Sequence, residues 1–131
     1  MAGSSVTFTR LHVGDMTRVK IAWVSDDAAG TASGASTFAV RGIPVRFTTV
    51  PSGGGTAPTD NYDITITDDL SVDILAGLGA DRDTANTETR LQADGLIPVF
   101  SETITFSVAN AGNSKQGTAY LYLVNMWPDL P

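Results

Sequence analysis

The sequence contains no cysteine and a single histidine, His12, among its 131 residues. The first absence removes thiol catalysis, thiolate metal sites and disulfides together. The second excludes any site built from two or three imidazoles of one chain. Long apolar runs are missing as well. No stretch approaches the roughly 20 apolar residues that a membrane helix needs, so no membrane partner is expected. The opening residues, MAGSSVTFTRLHV, hold no run long enough for a signal peptide, and the protein is expected to be made and used without passing through a secretion channel. Charge is sparse and one-sided, with 14 acidic residues against 8 basic and a net charge of −6. Such a surface repels phosphate backbones, so nucleic acid is not an expected partner.

What the chain has in plenty is Gly, Ser, Thr and Ala, a mix that suits short strands joined by turns rather than amphipathic helices. Its length fits one domain, 1–131. A domain of this size buries about two thirds of its unfolded surface, so it folds without a metal or disulfide. No cofactor is implied.

Alternation with a period of two dominates. In MTRVKIAWV, Val19, Ile21 and Trp23 fall on one face and Arg18, Lys20 and Ala22 on the other, the pattern of a half-buried strand. Gly14-Asp15 is turn chemistry and predicts a hairpin with an earlier strand, 6–13. A small polar loop is expected over 25–36. In TFAVRGIPVRFTTV, Phe38 and Val40 share a face, and Gly42 and Pro44 mark a bulge, a bend or an edge position. PSGGGTAPTD, 51–60, reads as a flexible loop. Its three glycines lack the Lys-Ser/Thr and the helix of a phosphate-binding loop.

The stretch 61–88, NYDITITDDLSVDILAGLGADRDTANTE, holds seven carboxylates and raises the question of a metal or catalytic site. YDITIT puts Tyr62, Ile64 and Ile66 on one face, DDLS is turn-rich, and SVDIL resumes the alternation, which predicts a hairpin. Asp81, Asp83, Asn86 and Glu88 fail the spacing of a calcium loop: no glycine sits at the sixth position, and Gln92 stands where the bidentate Glu belongs. They are expected to form a solvated loop. Nucleophilic catalysis needs a base near the nucleophile. His12, the one imidazole, lies in an alternating strand and reads as a rim histidine; no G-x-S-x-G motif exists. No pair of carboxylates is marked out for glycoside hydrolysis. An enzyme is therefore not expected. A carbohydrate-binding module is a competing reading, because exposed aromatics stack on sugars.

Two strands close the chain. ETITFSVAN aligns Ile104, Phe106 and Val108, AGNSKQG forms a turn, and TAYLYLV is apolar on both faces, with Leu121 and Leu123 opposite Tyr120, Tyr122 and Val124. A doubly apolar strand is central in a sandwich, or its outer face meets another subunit. The sum is an all-β antiparallel sandwich of about eight strands, with jelly-roll and immunoglobulin-like topologies both open. Val19, Ile21, Trp23, Tyr62, Ile64, Ile66, Ile104, Phe106 and Val108 are expected to form its core. The tail, 125–131 (NMWPDLP), cannot continue a ladder at Pro128 or Pro131. It is expected to leave the domain as an extended strap that carries Met126, Trp127 and Leu130. Trp127 either plugs its own domain or anchors in a neighbour. Tyr120, Tyr122, Met126, Trp127 and Leu130 are the candidate interface residues.

PTDNYDITITDD…VDILAGLGADRDTANTE followed by ETITFSVANAGNSKQGTAYLYLV resembles a group of small structural proteins of tailed bacteriophages. In that group a YDxTL strand leads into a VDxLAG turn and a polar loop, and an NAGN-K-G turn introduces the last strand. The likeness spans about 58–124, roughly half the chain. It implies a virion component made in the host bacterial cytoplasm. Head decoration or cement is the first expectation and a neck, tail or fibre role the next. The implied partners are the major capsid protein or other virion proteins. Homo-oligomerisation as a dimer or trimer is expected from the doubly apolar last strand, 118–124. The resemblance brings no catalytic residues.

Overall fold

The computed structural model describes residues 4–125. The expected strap with Met126, Trp127 and Leu130 lies outside the described residues. The architecture is all-β and antiparallel throughout. Nine strands run in chain order: β1 Ser5–Val13, β2 Met16–Val24, β3 Ala32–Ala35, β4 Val40–Pro51, β5 Asp63–Thr67, β6 Glu88–Leu91, β7 Val99–Glu102, β8 Thr105–Ala109 and β9 Gln116–Val124. They form a six-stranded sheet in the order β1-β2-β9-β4-β6, with β7 also paired to β4, and a three-stranded sheet in the order β3-β8-β5.

The long strands follow directly from the alternation. Val13 pairs with Met16 across Gly14-Asp15, which closes the β1–β2 hairpin as the turn residues predict. The doubly apolar β9 is central, held between β2 and β4. One of its faces sends Ala119, Leu121 and Leu123 into the core, each fully buried. β4 accommodates Gly42 and Pro44 by two shifts of register, one between Val40 and Gly42 and one between Pro44 and Arg46. Its first residues pair with β7, and Arg46 to Thr49 pair with β6.

The core lies between the two sheets. All nine residues aligned by the sequence pattern are in it, joined by Phe47, Ile74, Leu75, Leu121 and Leu123 among others. Trp23 from the large sheet meets Tyr62 beside the small one, with ring centroids 5.6 Å apart. Gly117 stands opposite Trp23 in the β2–β9 register. A Cβ at Gly117 would come within 2.6 Å of the indole, so only glycine lets β9 pass this close beneath it.

Three expectations are corrected. SVDIL is not a strand: residues 74–79 form turns, and only Asp73 makes an isolated bridge, to Thr67. The reason is that the Asp73 carboxylate takes up three backbone N–H groups that a ladder would otherwise use. The polar segment 25–36 is not all loop, since Ala32–Ala35 pairs with β8 as β3. Its residues, ASGA, are too small to display alternation. Likewise Glu88, expected in the solvated loop, begins β6, which pairs with β4.

Candidate interaction surface

The carboxylate-rich stretch is an ordered connection between β5 and β6, built by side chains that accept backbone N–H groups. Asp68 Oδ1 accepts from Leu70 and Val72 at 2.9 and 3.0 Å. Asp73 accepts from Ile66 and Leu75 through Oδ1 and from Gly77 through Oδ2, at 3.0 to 3.2 Å. Asp83 Oδ1 accepts from Ala85 at 2.7 Å and from Asn86 at 3.1 Å. These bonds, with the Asn86 side chain, hold the Asp83 carboxyl below its ordinary value. Asp63 accepts from the Asp81 amide and from Asn110 Nδ2. The segment also holds Asn61, Ser71, Ala76 and Asp81 in left-handed backbone, with φ between 51° and 65°. Such conformations persist only where neighbouring bonds over-determine them.

One cation closes this connection. Arg82 is buried; its Nε and Nη2 donate to the Ala80 carbonyl, and its Nη1 lies 3.2 Å from Glu88 Oε1. Its backbone pairs with Tyr62, whose hydroxyl burial pushes up to about 12 against the opposing influence of Thr49 and Arg82. Asp81, Asp83, Asn86 and Glu88 are thus engaged in folding the loop. Among the described residues no group of three or more His, Asp or Glu side chains converges as a metal ion would require. Further along, burial and then the charges of Asp68 and Asp69 push the Glu102 carboxyl up. His12 is exposed on β1, its Nδ1 2.8 Å from Thr17 Oγ1.

The surface that stands out is the outer face of the six-stranded sheet. The cross-strand register sets Leu11, Arg18, Tyr122, Arg46 and Leu91 in one row from β1 to β6. The next row holds Thr9, Lys20, Tyr120, Thr48 and Thr89. Lys20 and Arg46 are exposed and the two tyrosines half-buried. The tyrosine rings stack at 6.5 Å between centroids. The Arg46 guanidinium lies 4.6 Å over the Tyr122 ring and the Arg18 guanidinium 5.5 Å over the Tyr120 ring. At the β1–β2 end, Leu11, Val13, Met16, Arg18 and Tyr122 line a shallow notch of about 160 Å³. Leu11, Val13, Met16 and Leu91 are 48%, 68%, 40% and 51% exposed, four of the seven exposed large hydrophobics among the described residues.

Of the candidate interface residues, Tyr120 and Tyr122 fall together on this face; Met126, Trp127 and Leu130 lie outside the described residues. Sequence reasoning missed Leu11, Val13, Met16, Arg46 and Leu91 as their companions. The signal was present in part, since Leu11 and Val13 share one face of β1, but strand order alone brings them beside β9. The chain matches no family model, no curated protein and no solved structure.

Proposed function

We propose that this protein is a structural component of a virion, of the tailed-phage kind that its sequence resembles, and that it acts by being bound rather than by catalysis. The observation that carries this reading is the outer face of the large sheet, where half-buried tyrosines, guanidinium groups and exposed aliphatics form one continuous surface. Tyr, Arg and Met are the residues that interfaces concentrate. Decoration of a head lattice is the role that fits best, with the protein reaching the particle after synthesis in the host cytoplasm. Docking would bury the face against neighbouring subunits. Separating such a junction re-exposes apolar area at roughly 25 cal/mol per Å², before association costs.

Mass spectrometry of purified virions with copy-number estimation tests this. A copy number matching the capsid lattice supports decoration; a few copies per particle indicate a neck, tail or fibre position; absence from virions overturns the reading. Glycan binding is the alternative that the stacked tyrosines favour. Against it, Trp23 is buried and guanidinium groups lie over both tyrosine rings. Chemical-shift changes at Tyr120 and Tyr122 on titration with glycans would establish that alternative instead.

A further inference from the structure

Charge is segregated along this chain. The four long strands, β1, β2, β4 and β9, carry Arg10, Arg18, Lys20, Arg41 and Arg46, five of the eight basic residues, and none of the fourteen carboxylates. On the outer face, Arg18 and Arg46 flank Tyr122 from the two neighbouring strands, and Lys20 stands beside Tyr120. Among the described residues the one ion pair joins Arg82 to Glu88, so Arg18, Lys20 and Arg46 have no counter-charge there. The Arg18 Nε is buried and has no hydrogen-bond partner among the described residues. Arg46 Nε donates to Thr48 Oγ1 at 2.9 Å, which fixes its guanidinium beside Tyr122. The molecule as a whole is acidic, yet this face presents cations with no ion-pair partner among the described residues.

We propose that the outer face docks on an acidic protein surface that also presents aliphatic side chains, and that it does so asymmetrically, not against the same face of a second copy. This rests on the assembly reading above and names the chemistry of its partner. Carboxylates of the partner would accept from Arg18, Arg46 and Lys20 in charge-assisted hydrogen bonds. Its aliphatics would seat on Leu11, Val13, Met16 and Leu91. A two-fold contact through this face is disfavoured, because an isologous interface sets each patch against its own copy. Arg18, Lys20 and Arg46 would meet their own kind with no carboxylate on the long strands to relieve them. Of the carboxylates flanking these strands, Glu88 is held by Arg82, while Asp15 in the β1–β2 turn and Asp94 after β6 lie at the rim, outside the two rows that carry the cations. Nucleic acid would also answer to the cations, but the bordering aliphatics favour protein.

The test titrates the full chain, 15N-labelled, with a soluble peptide alternating Glu and Leu. Parallel titrations use a Lys-Leu peptide and oligothymidylate, and sedimentation follows self-association. Expected are shifts confined to β1, β2, β9, β4 and β6 with the Glu-Leu peptide only. Affinity should weaken on the order of tenfold between low and high salt. An Arg18→Glu/Arg46→Glu variant should lose on the order of tenfold or more, while Arg18→Lys/Arg46→Lys retains most of the binding. No binding of the Glu-Leu peptide, equal binding of oligothymidylate at the same residues, or a symmetric dimer that buries the face would each overturn the proposal. Virion copy number reads presence on the particle and this titration reads partner chemistry, so either can fail without the other.

Discussion

The four long strands and the connection between β5 and β6 are held in place by opposite means. The strands contain no carboxylate, and their order comes from alternation: every second side chain enters a shared core and ladder bonds do the rest. The connection has only short apolar runs, including Ile74 and Leu75, and its order comes from carboxylates that take up backbone N–H groups. Burial of apolar area stabilises a strand wherever the pattern continues. Carboxylate capping stabilises a loop only at the particular amide it meets. The first mechanism tolerates change on one face; the second concentrates its dependence on single residues.

The largest test of this contrast lies in the strands. Trp23→Ala should cost about 3–5 kcal/mol of unfolding free energy by denaturant titration, because a large side chain is removed from a packed interior. A cost below about 1 kcal/mol would mean that the large sheet is not held by its inner face. In the connection, Glu88→Ala leaves the Arg82 guanidinium, 4% exposed, without its counter-charge. Breaking such a pair should cost about 3 kcal/mol. Glu88→Gln, which keeps an acceptor for the Asp83 amide, should cost less.

Tyr62 belongs to both regions: its ring meets Trp23 and its backbone pairs with Arg82. Burial disfavours its phenolate and raises its folded value to about 12 from an ordinary 10.0. The stability due to the neutral phenol is therefore fully present below pH 10 and is lost as pH rises from 10 to 12. That loss should reach roughly 3 kcal/mol, and Tyr62→Phe should flatten the unfolding curve across this window. Asp73→Ala removes the acceptor for Ile66, Leu75 and Gly77 and should cost about 1–3 kcal/mol. Faster hydrogen exchange should then appear first in 66–79; uniform acceleration would show that the connection does not open by itself. The smallest effect belongs to the outer face. Arg18→Ala and Arg46→Ala should each change stability by no more than about 1 kcal/mol, mostly through lost stacking on the tyrosines. A larger loss would place these arginines in the framework rather than on a docking surface.

The regions also differed in how far they could be read. β1, β2, β5, β8 and β9 announce themselves, because a half-buried strand must alternate. The core of Val19, Ile21, Trp23, Tyr62, Ile64, Ile66, Ile104, Phe106 and Val108 is legible for the same reason. β3 and β6 are not. ASGA has no bulk to alternate, and ETRL, a short edge strand, puts charged Glu88 and Arg90 on its half-buried face and its one aliphatic, Leu91, on the exposed one. SVDIL misleads because its apolar spacing matches a strand while Asp73 redirects the backbone into turns. For the outer face, the sequence exposes Tyr120 and Tyr122 as the unburied side of a doubly apolar strand. It does not reveal which cations and aliphatics join them.

The sequence by itself determined the strand class, the faces of the long strands and the separation of charge, since all three are properties of local spacing and composition. Only the tertiary structure decided that β9 lies between β2 and β4. That order sets Arg18 and Arg46 on either side of Tyr122 and brings Leu11 and Leu91 into the same row. The reason is physical: alternation specifies which way a side chain points, whereas a strand's neighbours are chosen by long-range pairing and core packing, on which period two is silent.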